Sequence, residues 1–310
     1  MTTTAQRGTA HSREGRDDLP IPYIERTRSY YLKLGYGNPY RWASNDQVPF
    51  TPLRRPLAEA RLALLTTAAP VRPEAGDQGP RAPYNSAAKF YRVYAVPVDP
   101  PPDLRISHIG YDREHTTAED PNTWLPLARL REAVAAGRLG SLAARVYGVP
   151  TNRSQVTTVD VDAPAALALL REDGADMALL VPNCPVCHQS MSLVARHLEA
   201  NGIPTVVMGC AKDIVESAGV PRFLWSDFPL GNSCGRPDDV ESQRQTLELA
   251  LRLLETATAS RTTVCSPLRW SDDPSWKDDF SNADLLTPEE IVRRRAAFDR
   301  DKDVARGRRG

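Results

Sequence analysis

Short unbroken apolar runs alternate along this chain with longer stretches in which apolar residues return every three or four positions. The runs Arg61-Leu62-Ala63-Leu64-Leu65-Thr66-Thr67 and Met177-Ala178-Leu179-Leu180-Val181 have strand length and read as strands buried on both faces. Leu127, Leu130, Ala133 and Val134 follow helical spacing, which predicts a helix over 125–136 ended by Gly137. Beyond it the alternation is regular: helix 164–171, strand 177–181, helix 189–200, strand 205–208, helix 212–217, strand 223–226, helix 240–254. Strands separated by helices imply crossover connections and a parallel sheet with helices on both faces, an α/β fold of flavodoxin-like or Rossmann-like type. Further strands are expected around 91–96 and 106–111, on either side of the proline-rich connector 97–102.

The ends break this pattern. Residues 1–20 are rich in Thr, Arg, Gly and Asp and are expected to form a disordered tail, because they bury too little apolar surface to offset ordering entropy. The body is expected over 21–257, as one unit or as two α/β lobes, 52–150 and 151–257. Residues 258–310 read as an irregular extension with a charged, partly helical end. The aromatic stretch from Tyr23 to Trp42 is expected to pack on the body or on a second copy in a homo-oligomer.

Composition narrows the partners. Lys plus Arg and Asp plus Glu both total 39 in 310 residues, so net charge favours neither nucleic acid nor an anionic membrane. No apolar run reaches the ~18 residues of a membrane span, and the N-terminus lacks an apolar signal core, which together point to the cytoplasm. In that compartment five cysteines stay reduced unless chemistry oxidises them, and an odd number cannot be fully paired.

Two of the five stand in one turn, Asn183-Cys184-Pro185-Val186-Cys187-His188-Gln189, directly behind the strand 177–181. Ligands of open parallel sheets bind beyond the carboxyl ends of the strands, and this turn takes that place. Cys187 is expected near the first turn of the next helix, where free N–H groups and the helix dipole stabilise a thiolate. In a Cys-x-x-Cys pair one sulfur attacks and the other resolves the product into a disulfide, while His188 assists proton transfer. Two other readings stay open. Zinc would need further ligands, with Cys210 or Cys234 as the only nearby sulfur candidates, and a pair of small core cysteines fits poorly with so polar a turn.

Two more loops leave the same edge, Gly209-Cys210-Ala211 and the stretch from Asp227 to Gly235. Asn183, Gln189, Cys210, Gly231, Asn232, Ser233, Cys234 and His108 are the candidates for lining a small-molecule substrate site, with backbone N–H groups near Gly231 to Ser233 suited to a carboxylate. No metal set and no cofactor motif is legible. The dithiol itself would be the redox group, with a thioredoxin-like protein as electron donor.

Several stretches resemble a known family. Leu57 to Thr67, Trp124 to Glu132, Cys184-Pro185-Val186-Cys187-His188-Gln189, Gly202-Ile203-Pro204-Thr205 and Asp227-Phe228-Pro229-Leu230-Gly231-Asn232 resemble the selenoprotein B family of glycine, sarcosine, betaine and D-proline reductases, with the closer likeness to the D-proline reductase branch. The likeness spans about residues 52–254. It implies reductive cleavage of a carbon–nitrogen bond in an amino acid or derivative, within a complex that includes a second reductase subunit. It also implies that Cys184 stands where the family commonly carries selenocysteine, with Cys184 as nucleophile and Cys187 as its resolving partner. A thiol with an ordinary pKa of about 8.5 is mostly protonated at neutral pH, so Cys184 needs help that a selenol would not. The rival expectation is a non-catalytic, redox-responsive subunit that docks on a partner enzyme.

Overall fold

The computed structural model describes residues 19–38, 40–106 and 108–307. The expected disordered tail lies outside these residues except for its last two. In chain order the strands are β1 (Arg61–Thr66), β2 (Ala69–Pro70), β3 (Tyr94–Pro97), β4 (Leu104–Arg105), β5 (Ser141–Gly148), β6 (Met177–Val181), β7 (Thr205–Gly209), β8 (Arg222–Trp225) and β9 (Thr262–Cys265). The helices are α1 (Tyr23–Lys33), α2 (Leu127–Ala135), α3 (Gln155–Thr157), α4 (Ala163–Glu172), α5 (Pro185–Ala200), α6 (Lys212–Ala218), α7 (Val240–Thr256), α8 (Trp276–Asp279) and α9 (Pro288–Gly307).

Seven strands form one sheet in the order β3-β5-β1-β6-β7-β8-β9, parallel except for the antiparallel edge β3. The apolar runs behave as their pattern implies. In β6, Met177, Leu179 and Val181 join the cluster of α2 and α7 on one face. Ala178 and Leu180 join that of α4, α5 and α6 on the other. Both faces are buried, which is why the strand carries no polar alternation. The fold is α/β, as the pattern predicts, with a single sheet running through both of the lobes considered above.

Three elements differ from expectation. The described residues of the segment 106–111 form no strand, and only Leu104 and Arg105 ahead of it do, paired with β2 outside the main sheet. β5, the longest strand, carries no clear apolar run because it lies between β1 and an edge strand and is only partly enclosed. β9 comes from the segment expected to be an extension, and it pairs in parallel with β8. The aromatic N-terminal stretch packs on the body, where Tyr23 joins Ile214, Phe228 and Leu230 in one cluster, and also on the C-terminal extension. Tyr31 and Tyr36 meet Phe298 of α9 with ring centroids 5.2 and 5.4 Å apart, and Arg295 stacks on Tyr36 at 3.7 Å.

Strand order fixes where a site belongs. β5, β1, β6, β7 and β8, renumbered by their appearance as parallel strands, run 2-1-3-4-5, the flavodoxin-like order. The chain moves to one side of β1 for β5 and to the other for β6, so a crevice opens at the carboxyl ends of β1 and β6. Thr66 is aligned there with Val181 of β6 and Gly148 of β5.

Candidate functional site

The cysteine turn begins two residues past β6. Cys184 is extended (φ −137°, ψ 169°) and is the residue that caps α5, with Pro185 in the first helical position. Proline suits that position because its missing N–H would have no intrahelical partner. The helix therefore starts four residues earlier than the expected 189, and Cys187 and His188 lie within its first turn. The backbone N–H of Cys187 donates to Cys184 Sγ at 3.2 Å, so the sulfur does what a serine or aspartate oxygen does at other helix starts.

The two sulfurs are joined as a disulfide, with Cα atoms 4.9 Å apart. Cys184 is 5% exposed and Cys187 fully buried. Gly110, in the loop after β4, lies against them: a Cβ on it would stand 3.2 Å from Pro185 Cδ and 3.8 Å from Cys184 Cβ. Next to it, His108 brings a ring nitrogen near both sulfurs, all three ligand atoms lying within 4.8 Å of one another. His108 Nε2 donates to the carbonyl of Thr67 at 2.6 Å, which leaves Nδ1 as an unprotonated acceptor. The hydroxyl of Thr151 is 3.5 Å from that Nδ1 and 3.5 Å from Cys187 Sγ. Burial lowers the His108 pKa to about 4 against the help of the Thr67 bond, and the positive charges of Lys89, Arg113 and Arg153 add to the lowering.

His188 has a different place from the one its spacing suggested. Its Nδ1 donates to the carbonyl of Cys184 at 2.7 Å and its Nε2 accepts the N–H of Cys210 at 2.9 Å. Both nitrogens are thus committed to the backbone, and the ring ties the helix start to the end of β7. Gly209 makes room for it, since a Cβ there would stand 2.7 Å from the imidazole. Gln189 also turns away from the crevice: its Oε1 accepts the N–H of Ala43 at 2.6 Å and its Nε2 donates to the Tyr40 hydroxyl. Asn183 stays at the site. Its Nδ2 donates to Thr67 Oγ1 at 3.1 Å, while its buried Oδ1 has no partner.

The loops after β7 and β8 do gather at this edge, but their side chains are engaged with each other. The Cys210 thiol donates to the Pro229 carbonyl at 3.8 Å, lies 3.7 Å from Ser233 Oγ, and is pushed up to about 12 mainly by burial. Cys234 is fully buried in the core under α7 and its thiol is also raised well above its ordinary value, again by burial. Ser233 Oγ donates to the Pro182 carbonyl at 3.0 Å, and Asn232 Nδ2 donates to Thr116 Oγ1 at 2.7 Å. Gly231, at φ 107°, lets the chain pass Thr116, whose methyl a Cβ would meet at 2.9 Å. The backbone N–H groups of Asn232 and Cys234 donate to the carbonyls of Pro229 and Thr123, so they are not open to a carboxylate. Cys265 lies on the exposed edge strand, away from the other four.

Thr67 and Thr151 are the site residues that spacing alone did not single out. Thr67 closes a legible strand, but its contribution is a backbone carbonyl and a hydroxyl with no motif. Thr151 follows β5, and a strand without an apolar run leaves the loop behind it unmarked.

The chain is 30% identical over 198 residues to D-proline reductase subunit gamma of Acetoanaerobium sticklandii, a match covering 63% of this chain and 78% of that protein. The chain belongs to the selenoprotein B family of glycine, sarcosine, betaine and D-proline reductases. Two further members of this family are glycine reductase complex component B subunits gamma, from Carboxydothermus hydrogenoformans at 29% identity over 223 residues and Symbiobacterium thermophilum at 27% over 236. The chain is matched over 70% and 73% of its own length by these two, but spans only 50% and 53% of theirs. No protein-family model and no solved structure matches the chain. Among the described residues no helix is long and apolar enough to cross a membrane.

Proposed function

We propose that this member of the reductase family is a dithiol reductase of a small organic substrate, which it cleaves at a carbon–nitrogen bond in an amino acid or derivative. The observation that carries the reading is the meeting of Cys184, Cys187 and His108 at the carboxyl ends of β1 and β6, the switch point of the sheet. In the reduced protein the start of α5 and the Cys187 N–H stabilise negative charge on Cys184 Sγ. The thiolate attacks the substrate carbon, the carbon–nitrogen electron pair leaves with the amine, and the amine takes a proton. Cys187 then attacks Cys184 Sγ, the new carbon–sulfur bond gives its pair to carbon, and carbon takes the second proton. Two electrons and two protons have passed from the dithiol to the substrate, and a disulfide remains. A thioredoxin-like donor returns it to the dithiol, in the cytoplasm.

His108, rather than His188, holds the position for proton transfer. With Nε2–H fixed on Thr67, its Nδ1 accepts from the Thr151 hydroxyl, whose oxygen faces the Cys187 sulfur. The unpartnered Asn183 Oδ1 is the acceptor left for a substrate N–H. The test is turnover of candidate amino-acid derivatives by the reduced chain, with and without a companion subunit. Cys184→Ser is expected to stop turnover and Cys187→Ser to accumulate a covalent adduct visible by mass spectrometry; full activity of either variant refutes the scheme.

A second reading is favoured by the near-complete burial of both sulfurs: a redox-responsive subunit whose disulfide sets affinity for a partner enzyme. It prevails if the chain, alone and with its companion, consumes no substrate while oxidation changes that affinity.

A further inference from the structure

We infer that the reduced form of the site binds a zinc ion through Cys184 Sγ, Cys187 Sγ and His108 Nδ1, so that the same residues exist either as a disulfide or as a three-ligand metal centre. The inference shares with the proposed function only the requirement that the disulfide can be reduced. Along the sequence a four-ligand zinc site lacks a second ligand pair, and Cys210 and Cys234 are engaged elsewhere in the fold. Sites that keep an exchangeable position need only three protein ligands, and two cysteines with one histidine is one of the known sets. The third ligand here arrives from a loop 76 residues upstream, the number separating His108 from Cys184.

The geometry suits the ion. Zinc bonds of about 2.3 Å to sulfur and about 2.0 Å to nitrogen place tetrahedral ligand atoms roughly 3.5–3.8 Å apart. A ring nitrogen of His108 and the two sulfurs already lie within 4.8 Å of one another, so the histidine has to close by about 1.3 Å at most while the reduced sulfurs separate. His108 is also held as metal-bound histidines are held. Its Nε2 donates to a backbone carbonyl, which fixes the tautomer and leaves the lone pair of Nδ1 as the one free to ligate. The Thr151 hydroxyl, 3.5 Å from both Nδ1 and Cys187 Sγ, borders the position left open. Reduction adds two electrons and two protons to the disulfide; zinc then displaces the two thiol protons, and its own oxidation state does not change.

Such a centre opposes the reductase cycle, because metal-bound thiolates are withheld from substrate and from the electron donor. The test uses the full chain reduced with dithiothreitol, desalted without oxygen and titrated with zinc chloride against a chromophoric chelator. One zinc per chain is expected, with both thiols of the turn protected from alkylation. His108→Ala is expected to weaken binding by at least the 10- to 100-fold seen when a supporting group is lost, and replacement of His197, a half-buried residue in the last turn of α5, by alanine (H197A) to leave it unchanged. Should His108→Ala fold poorly, X-ray absorption of the zinc-loaded natural chain decides, with two sulfurs and an imidazole expected around the metal. A shell of sulfur without imidazole, binding no tighter than that of a Cys184→Ser, Cys187→Ser double variant, or unchanged affinity in folded His108→Ala overturns the inference. Thiol counting before and after dithiothreitol follows the disulfide separately from zinc. A chain that cycles and turns over substrate but refuses zinc overturns this inference alone; one that binds zinc but reduces no substrate overturns only the proposed function.

Discussion

His108 and His188 are both buried, both lowered to about 4 by desolvation, and both within a few residues of the same crevice, yet they are placed for opposite work. His188 spends each nitrogen on a backbone group, so its ring is a bracket between the start of α5 and the end of β7. His108 spends one nitrogen on Thr67 and leaves the other to the Thr151 hydroxyl, in a ring that stands beside the two sulfurs. Burial and a displaced pKa do not by themselves mark chemistry. What separates the two rings is whether a lone pair is left over once the backbone has been satisfied.

The largest effect tests the sulfurs on which that distinction depends. Cys184→Ser is expected to lower turnover by at least about 10³-fold, as loss of a nucleophile does, with the melting temperature of the reduced proteins little changed. If His188 is a bracket, His188→Ala should cost about 3 to 4 kcal/mol in urea denaturation, from a buried cavity and an orphaned Cys210 N–H. A His188→Ala protein that stays stable but loses activity would reverse the assignment.

Acid should then destabilise the natural protein. Each ring has a folded pKa of about 4 against about 6.5 in the unfolded chain, so each contributes stability that is complete above pH 6.5 and lost as pH falls through 4. The loss is up to about 3 kcal/mol per ring. Urea midpoints at pH 7 and pH 4 measure it, and replacing either histidine with glutamine should remove about half of this contribution. Smaller again, His108→Asn is expected to slow turnover by about 10²-fold, the low end for a proton-transfer group. Thr151→Val should slow it by about 10-fold, because the relay loses its middle member while packing is kept. If Thr151→Val matches the natural rate, Cys187 exchanges its proton by another route.

How much of this was legible varies by residue type. The strands β6 and β7 and the helix α7 were marked by patterns that burial on two faces or one stripe imposes. β5 and β9 were not, because strands at or near a sheet edge are half-enclosed and need no continuous apolar run. The cysteine pair was legible from its spacing, and its place after a strand followed from the pattern of β6. Gln189, Asn232 and Ser233 looked like site residues because polar side chains in turns resemble ligands along a sequence. In the fold they hold neighbouring segments together.

The sequence by itself determined that this is a layered α/β protein with a redox-capable pair of cysteines at a strand-to-helix turn, because periodicity and short spacings are local and survive in one dimension. Only the tertiary structure decided that His108 and Thr151 meet those sulfurs while His188 faces the backbone. Those contacts join the loops after β5 and β6, made adjacent by the strand order, to the loop after β4, which follows the separate β2–β4 pair. That order depends on which strands find each other across long stretches of chain, a matter of packing rather than of any residue's immediate neighbours.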